Sequence, residues 1–89
     1  MEQNSIYSEL TQLLGETYGV DPDELTPESD LIEDIDLKSD VESLAKFVHS
    51  LNITFDIEIS AQAFSKGIEE ERITNVREIV NTVEDALLE

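Results

Sequence analysis

The sequence predicts an all-α bundle of three long helices and one short one, with a long ordered loop between the first two. Three observations predict it. Apolar residues recur at steps of three and four in separate segments, the spacing that lines one face of a 3.6-residue helix. A serine or asparagine able to cap exposed backbone N–H groups stands at each expected helix start. The one stretch that alternates like a strand, Phe55-Asp-Ile-Glu-Ile59, has no second strand to pair with.

The first helix runs from Ser5 to about Tyr18, with Ile6, Leu10, Leu13 and Leu14 on one face, Asn4 or Ser5 as cap and Gly19 as stop. Residues 20 to 38 lack periodicity and contain the breaker clusters Asp21-Pro22-Asp23 and Thr26-Pro27-Glu28-Ser29-Asp30. A loop of that length in a compact domain is unusual, and Leu25, Leu31, Ile35 and Leu37 make it an apolar-anchored wrap rather than a linker. Ser39 is the expected cap of helix two, about Asp40 to Thr54, with Asp40 and Glu42 in the first turn where the helix dipole favours negative charge. Its apolar stripe is Val41, Leu44, Phe47, Val48, Leu51 and Phe55; Glu42, Ser43, Lys46, His49 and Ser50 lie opposite. The segment Phe55 to Ile59 reads as extended loop. Ser60 then caps a short helix holding Ala63, Phe64 and Ile68, interrupted near Gly67. The final helix starts near Thr74 or Asn75 and buries Val76, Ile79, Val80, Val83 and Leu87; Asn75 and Glu78 have capping-box spacing.

Eighty-nine residues suggest one domain, 1–89, with a thin core that buries roughly 60–65% of the unfolded chain's surface. An enclosed active site does not fit such a core. With no cysteine and the single histidine His49, thiolate metal sites, thiol nucleophiles and multi-histidine clusters are excluded. Asp21-x-Asp23 and Asp34-x-Asp36 lack the glycine and distal glutamate of a calcium loop, so no metal is expected. The polar, acidic start is unlike a targeting peptide, and no apolar run approaches the ~20 residues of a membrane span; a cytoplasmic monomer is the expectation. Twenty-two acids against five bases give a net charge of −17. That field repels nucleic acid and anionic membranes and favours proteins with basic patches.

The most informative stretch is Leu31-Ile-Glu-Asp-Ile-Asp-Leu-Lys-Ser39, which delivers one serine to the start of helix two. A hydroxyl held outward there is suited to covalent modification, and a helix N-terminus favours an attached phosphate. The bland alternative is an ordinary capping serine. Leu31, Asp34 and Ile35 match an apolar-x-x-Asp-Leu lead-in, Leu51 and Phe55-Asp-Ile-Glu-Ile59 a Leu-x-x-x-Phe-x-Ile-x-Ile ending, and Ile73-Thr-Asn-Val76 an Ile-Thr-Thr-Val opening. On these residues nearly the whole chain resembles the acyl carrier protein family, which includes the peptidyl carriers of nonribosomal synthesis. The resemblance implies an acyl-carrier-like antiparallel four-helix bundle without catalytic residues of its own. It also implies 4′-phosphopantetheine, donated by coenzyme A, on Ser39, with cargo held as thioesters for fatty acid, polyketide or nonribosomal peptide synthesis. Asp36, Leu37, Lys38, Asp40, Val41 and Glu42 are then the expected partner-binding surface. The expected partners are a phosphopantetheinyl transferase and acyl- or aminoacyl-loading and synthase enzymes with basic patches.

Four departures from the family pattern stand out. Asp36 replaces the usual glycine, Lys38 the aspartate before the serine, and Asp40 the leucine after it. Ser39 to Phe55 is sixteen residues, longer than the family spacing, and a gapless match backward from Phe55 puts Val41 at the attachment point. Glu42-Ser43-Leu44 mimics the motif without the loop before it, so Ser39 is preferred over Ser43. The rival reading is an acidic, carrier-like interaction module that never receives the arm. An acidic mimic occupying basic sites on another protein rests on charge alone.

Overall fold

The computed structural model describes residues 3–37 and 40–88. It is a four-helix bundle with α1 at Gln3–Tyr18, α2 at Val41–Phe55, α3 at Ala61–Glu69 and α4 at Val76–Leu87. Helix α1 packs against α2 and α4, while α3 docks on α2. Ile6, Leu10 and Leu14 of α1 meet Leu44, Phe47, Val48 and Leu51 of α2 and Val76, Ile79, Val80 and Val83 of α4 in one buried cluster. Phe47 occupies its middle: Tyr18 and Phe64 meet it edge-on, with ring centroids 6.2 and 6.0 Å away. Edge-to-face contact sets the positive rim of one ring against the negative face of another, so these pairs contribute beyond their buried area.

The helix ends follow from local chemistry. Gly19 takes φ +72° and its N–H bonds the Gly15 carbonyl at 2.9 Å, which closes α1 with a left-handed residue. Asp56, at φ 55°, does the same for α2. Asn52 then clamps the chain as it leaves α2: its amide accepts from the Ile59 N–H and donates to the Ile59 carbonyl, at 2.8 and 2.9 Å. Ile59 thereby satisfies its backbone polar groups without a sheet. Ser60 caps α3 through the Ala63 N–H and Asn75 caps α4 through the Glu78 N–H.

Several expectations are corrected. Asn4 and Ser5 lie within α1 rather than at its cap. Gly67 does not interrupt α3; a Cβ there would stand 2.8 Å from Ile73 Cδ1, so the glycine permits close packing rather than a break. Val41 is not part of the core stripe: as the first residue of α2 it has no preceding turn beside it, and it is 81% exposed. Ser39 is not the cap of α2, because Asp40 is.

The segment between α1 and α2 is an ordered wrap, as expected. It contains one turn of 3-10 helix, Pro22–Glu24, and is fastened to both α1 and α4. The Tyr7 hydroxyl donates to the Leu25 carbonyl at 2.7 Å, holding the wrap to α1. On the other side, the Val76 and Arg77 N–H groups, which begin α4 and have no partner inside it, bond the carbonyls of Ser29 and Pro27. Leu31 N–H returns a bond to the Thr74 carbonyl at 3.0 Å. Beneath these bonds Leu31, Ile35 and Leu37 are buried, while Leu25 is partly so.

Candidate functional site

Residues 30–37, which precede the candidate serine in the chain, are shaped by carboxylates. Asp30 Oδ1 accepts the N–H groups of Ile32 and Glu33 at 2.8 and 2.9 Å, and Asp34 Oδ2 accepts the Asp30 N–H at 2.9 Å. Those two N–H bonds hold the Asp30 carboxyl below its ordinary value, since hydrogen bonds to the charged form favour it. Leu37 N–H then bonds the Leu31 carbonyl at 2.9 Å, closing the turn.

Asp36 explains its own departure from the family pattern. Its φ is +61°, in the left-handed region that favours glycine and that aspartate tolerates better than most side chains. The backbone bend is kept although the glycine is not. Leu37 follows and is wholly buried, which corrects its placement on a partner-facing surface. Its apolar side chain anchors the loop instead.

Lys38 and Ser39 lie outside the described residues. The chain resumes at exposed Asp40, whose Oδ1 accepts the Glu42 N–H at 3.0 Å. Its Oδ2 accepts the Ser43 hydroxyl, also at 3.0 Å, so the rival serine is engaged in the capping of α2. Asp36, Asp40, Val41 and Glu42 are all exposed, and all but Asp36 belong to the start of α2. Beneath them lies the Tyr18 phenol, pushed up to about 12 first by burial and then by the negative charge of Asp40. Among the described residues its buried hydroxyl has no hydrogen-bond partner.

Beside this helix start an open groove of about 410 Å³ runs between α2 and α3. Val41, Leu44 and Ala45 form one wall; Ala61, Gln62, Ser65, Lys66 and Glu69 form the other. Sequence reasoning missed this groove. The usable signal was the pair of small residues, Ala45 and Ala61, which leave space where larger side chains would fill the gap between helices. Among the described residues no cluster of histidine and carboxylate side chains could hold a metal ion. Nor is any described helix long and apolar enough to cross a membrane.

No family model matches the chain. A curated relative does: an acyl carrier protein of Coprothermobacter proteolyticus is 33% identical over 88 residues, covering 98% of this chain and 96% of the relative. The chain belongs to the acyl carrier protein family. Its four helices, the ordered wrap and the anchored loop before α2 are therefore the family fold in this sequence.

Proposed function

We propose that this protein is a discrete carrier whose Ser39 receives 4′-phosphopantetheine from coenzyme A through a phosphopantetheinyl transferase. The cargo is an acyl or aminoacyl/peptidyl group, destined for fatty acid, polyketide or nonribosomal peptide synthesis. The observation that carries this reading is the bracket around Ser39: a left-handed bend at Asp36, a buried anchor at Leu37 and the α2 cap at Asp40.

The surroundings suit the prosthetic group. An apolar-walled groove opens at Val41, two residues beyond Ser39, and the chain has no cysteine of its own. When bound, the group supplies the thiol that links cargo as a thioester; orientation and recognition remain the protein's part. Ser39 would hold it covalently. Val41, Leu44, Ala45 and Ala61 offer apolar surface that excludes water, while Lys66 and Glu69 add one charge of each sign. Asp36, Lys38, Asp40, Val41 and Glu42 are the residues a transferase or loading enzyme would meet around the serine. On this reading the protein is a substrate and partner of enzymes rather than a catalyst, working as a monomer in the cytoplasm.

The rival, a carrier-like module that is never modified, is favoured by one observation. Helix α2 begins at Val41, so Ser39 precedes it by two residues, and Lys38 cannot ligate the magnesium used in transfer. Mass spectrometry after incubation with a broad-specificity transferase, magnesium and coenzyme A separates the two. The carrier reading expects one phosphopantetheinyl mass increment, lost in Ser39→Ala and kept in Ser43→Ala. An unmodified protein beside a modified control carrier would favour the rival.

A further inference from the structure

The charge of this molecule is unevenly spread. Residues 43–68, which contain nearly all of α2 and α3, hold two acids and two lysines, so the whole net charge of −17 lies elsewhere. From Ser43 to Phe55 there is no acid at all. Beyond its start at Asp40 and Glu42, α2 offers a basic patch no carboxylate to pair with, so further pairing needs another surface.

A pocket of about 240 Å³ lies where the wrap meets the α3–α4 junction. Its apolar part is made by Ile32, Ile68 and Ile73; Glu33, Glu69 and Glu71 stand around it. Ile32 is 42% exposed, whereas Ile68 and Ile73 are buried, so a step of apolar surface leads from solvent to the floor. The two ion pairs among the described residues, Arg72–Glu70 and Arg77–Glu28, engage neither Glu33, Glu69 nor Glu71.

The chemistry narrows the occupant. The space is smaller than the ~300 Å³ at which small-molecule pockets begin, so one extended side chain fits better than a cofactor. A bare metal ion is disfavoured because the carboxylates ring an apolar floor and do not converge on a point. A second copy of this chain is disfavoured by mutual repulsion of two strongly negative bodies. Lysine and arginine have the matching form: an apolar stem that lies on hydrocarbon and a cationic head that reaches acids at the rim.

We propose that this isoleucine-floored, glutamate-rimmed pocket is a docking socket for an arginine or lysine side chain projecting from a partner enzyme. That the partner is an enzyme rests on the carrier reading; the chemistry of the socket does not. Basic patches would then engage the corner formed by the wrap and the α3–α4 junction as well as the start of α2.

Two measurements test this on the full chain. In the first, isoleucine δ1-methyl spectra are recorded while n-butylguanidinium is added. Saturable shifts are expected at Ile32, Ile68 and Ile73, with Ile53 unmoved although it is 68% exposed on α2. Guanidinium ion alone and n-butanol alone should each bind at least about fivefold more weakly, as should the stem-and-head probe to the Glu33→Gln/Glu69→Gln/Glu71→Gln variant, since exposed charge pairs contribute up to ~1 kcal/mol each. Equal shifts at Ile53, or unchanged binding to the variant, would overturn the socket. In the second measurement, the same variant should raise the transferase KM with kcat unchanged and flatten its salt dependence. An unaltered KM would overturn the partner role. A wild-type chain that cannot be loaded at all sinks the carrier reading instead, and leaves the methyl titration to decide the socket.

Discussion

The wrap between α1 and α2 and the helix α2 both bury apolar residues in the same core, but they secure their backbones by opposite means. Helix α2 satisfies its own N–H and C=O groups and needs help only at its ends, from Asp40 and from the left-handed Asp56. The wrap has no repeating ladder. It borrows the N–H groups that α4 leaves unpaired at its start and uses Asp30, Asp34 and Ser29 as local acceptors. Irregular backbone is therefore cheap here only because a neighbouring helix end needed partners too. The wrap is as much a product of α4 as of its own sequence.

The harshest way to break this comparison is to cut the core from each side. Phe47→Ala, which removes the ring between Tyr18 and Phe64, should cost about 3–5 kcal/mol, a large part of the ~5–15 kcal/mol available to a small domain. Leu31→Ala in the wrap should cost about 2–5 kcal/mol, as a buried leucine in a helix would. Urea denaturation followed by circular dichroism measures both. A loss below about 1 kcal/mol for Leu31→Ala would make the wrap a loose cover rather than part of the core.

Alkaline titration probes the end of α1 where it meets α2 and its cap. The folded protein keeps the Tyr18 phenol neutral above its ordinary value of 10.0, pushing it up to about 12. This contribution to stability is complete below pH 10 and is lost as pH rises through about 12. Wild type should lose urea resistance across that window while Tyr18→Phe loses less, and the difference is read from paired denaturation midpoints.

At the acid end the sign reverses. Because Asp30 is lowered from 3.8, its contribution is present above that value and disappears as pH falls through the lower folded one. Asp30→Ala should reduce the urea midpoint modestly at pH 7, by less than Leu31→Ala, and should narrow its difference from wild type below pH 3.8.

The mildest change sharpens the comparison. Asp36→Gly relieves a side chain held at φ +61° and should stabilise the fold by about 0.5–1 kcal/mol, read from the urea midpoint. A destabilised Asp36→Gly would show that the aspartate side chain does more at this bend than glycine can.

Much of this was legible before any coordinates. The stripes Leu44-Phe47-Val48-Leu51 and Val76-Ile79-Val80-Val83 named their buried faces directly, because helical periodicity leaves one solution for each. Caps at Ser60 and Asn75 were equally plain, since each side-chain oxygen bonds an N–H only three residues away. Local chemistry also marked the wrap as ordered and apolar-anchored.

The rest turned on neighbours distant in sequence. Pattern put Val41 in the buried stripe, but it overhangs an open groove; the family resemblance put Leu37 on a partner surface, but it fills the core, as its place among the wrap's apolar anchors implied. Gly67 looked like a helix break until Ile73 was found against it. The groove between α2 and α3, and the socket formed by the wrap and the α3–α4 junction, exist only where separate elements meet. Sequence determined which segments would be helices and which faces they would bury, because those depend on bonds and spacings within a few residues. Tertiary structure decided which end residues stay uncovered and where space remains, because both depend on how whole elements fit against one another.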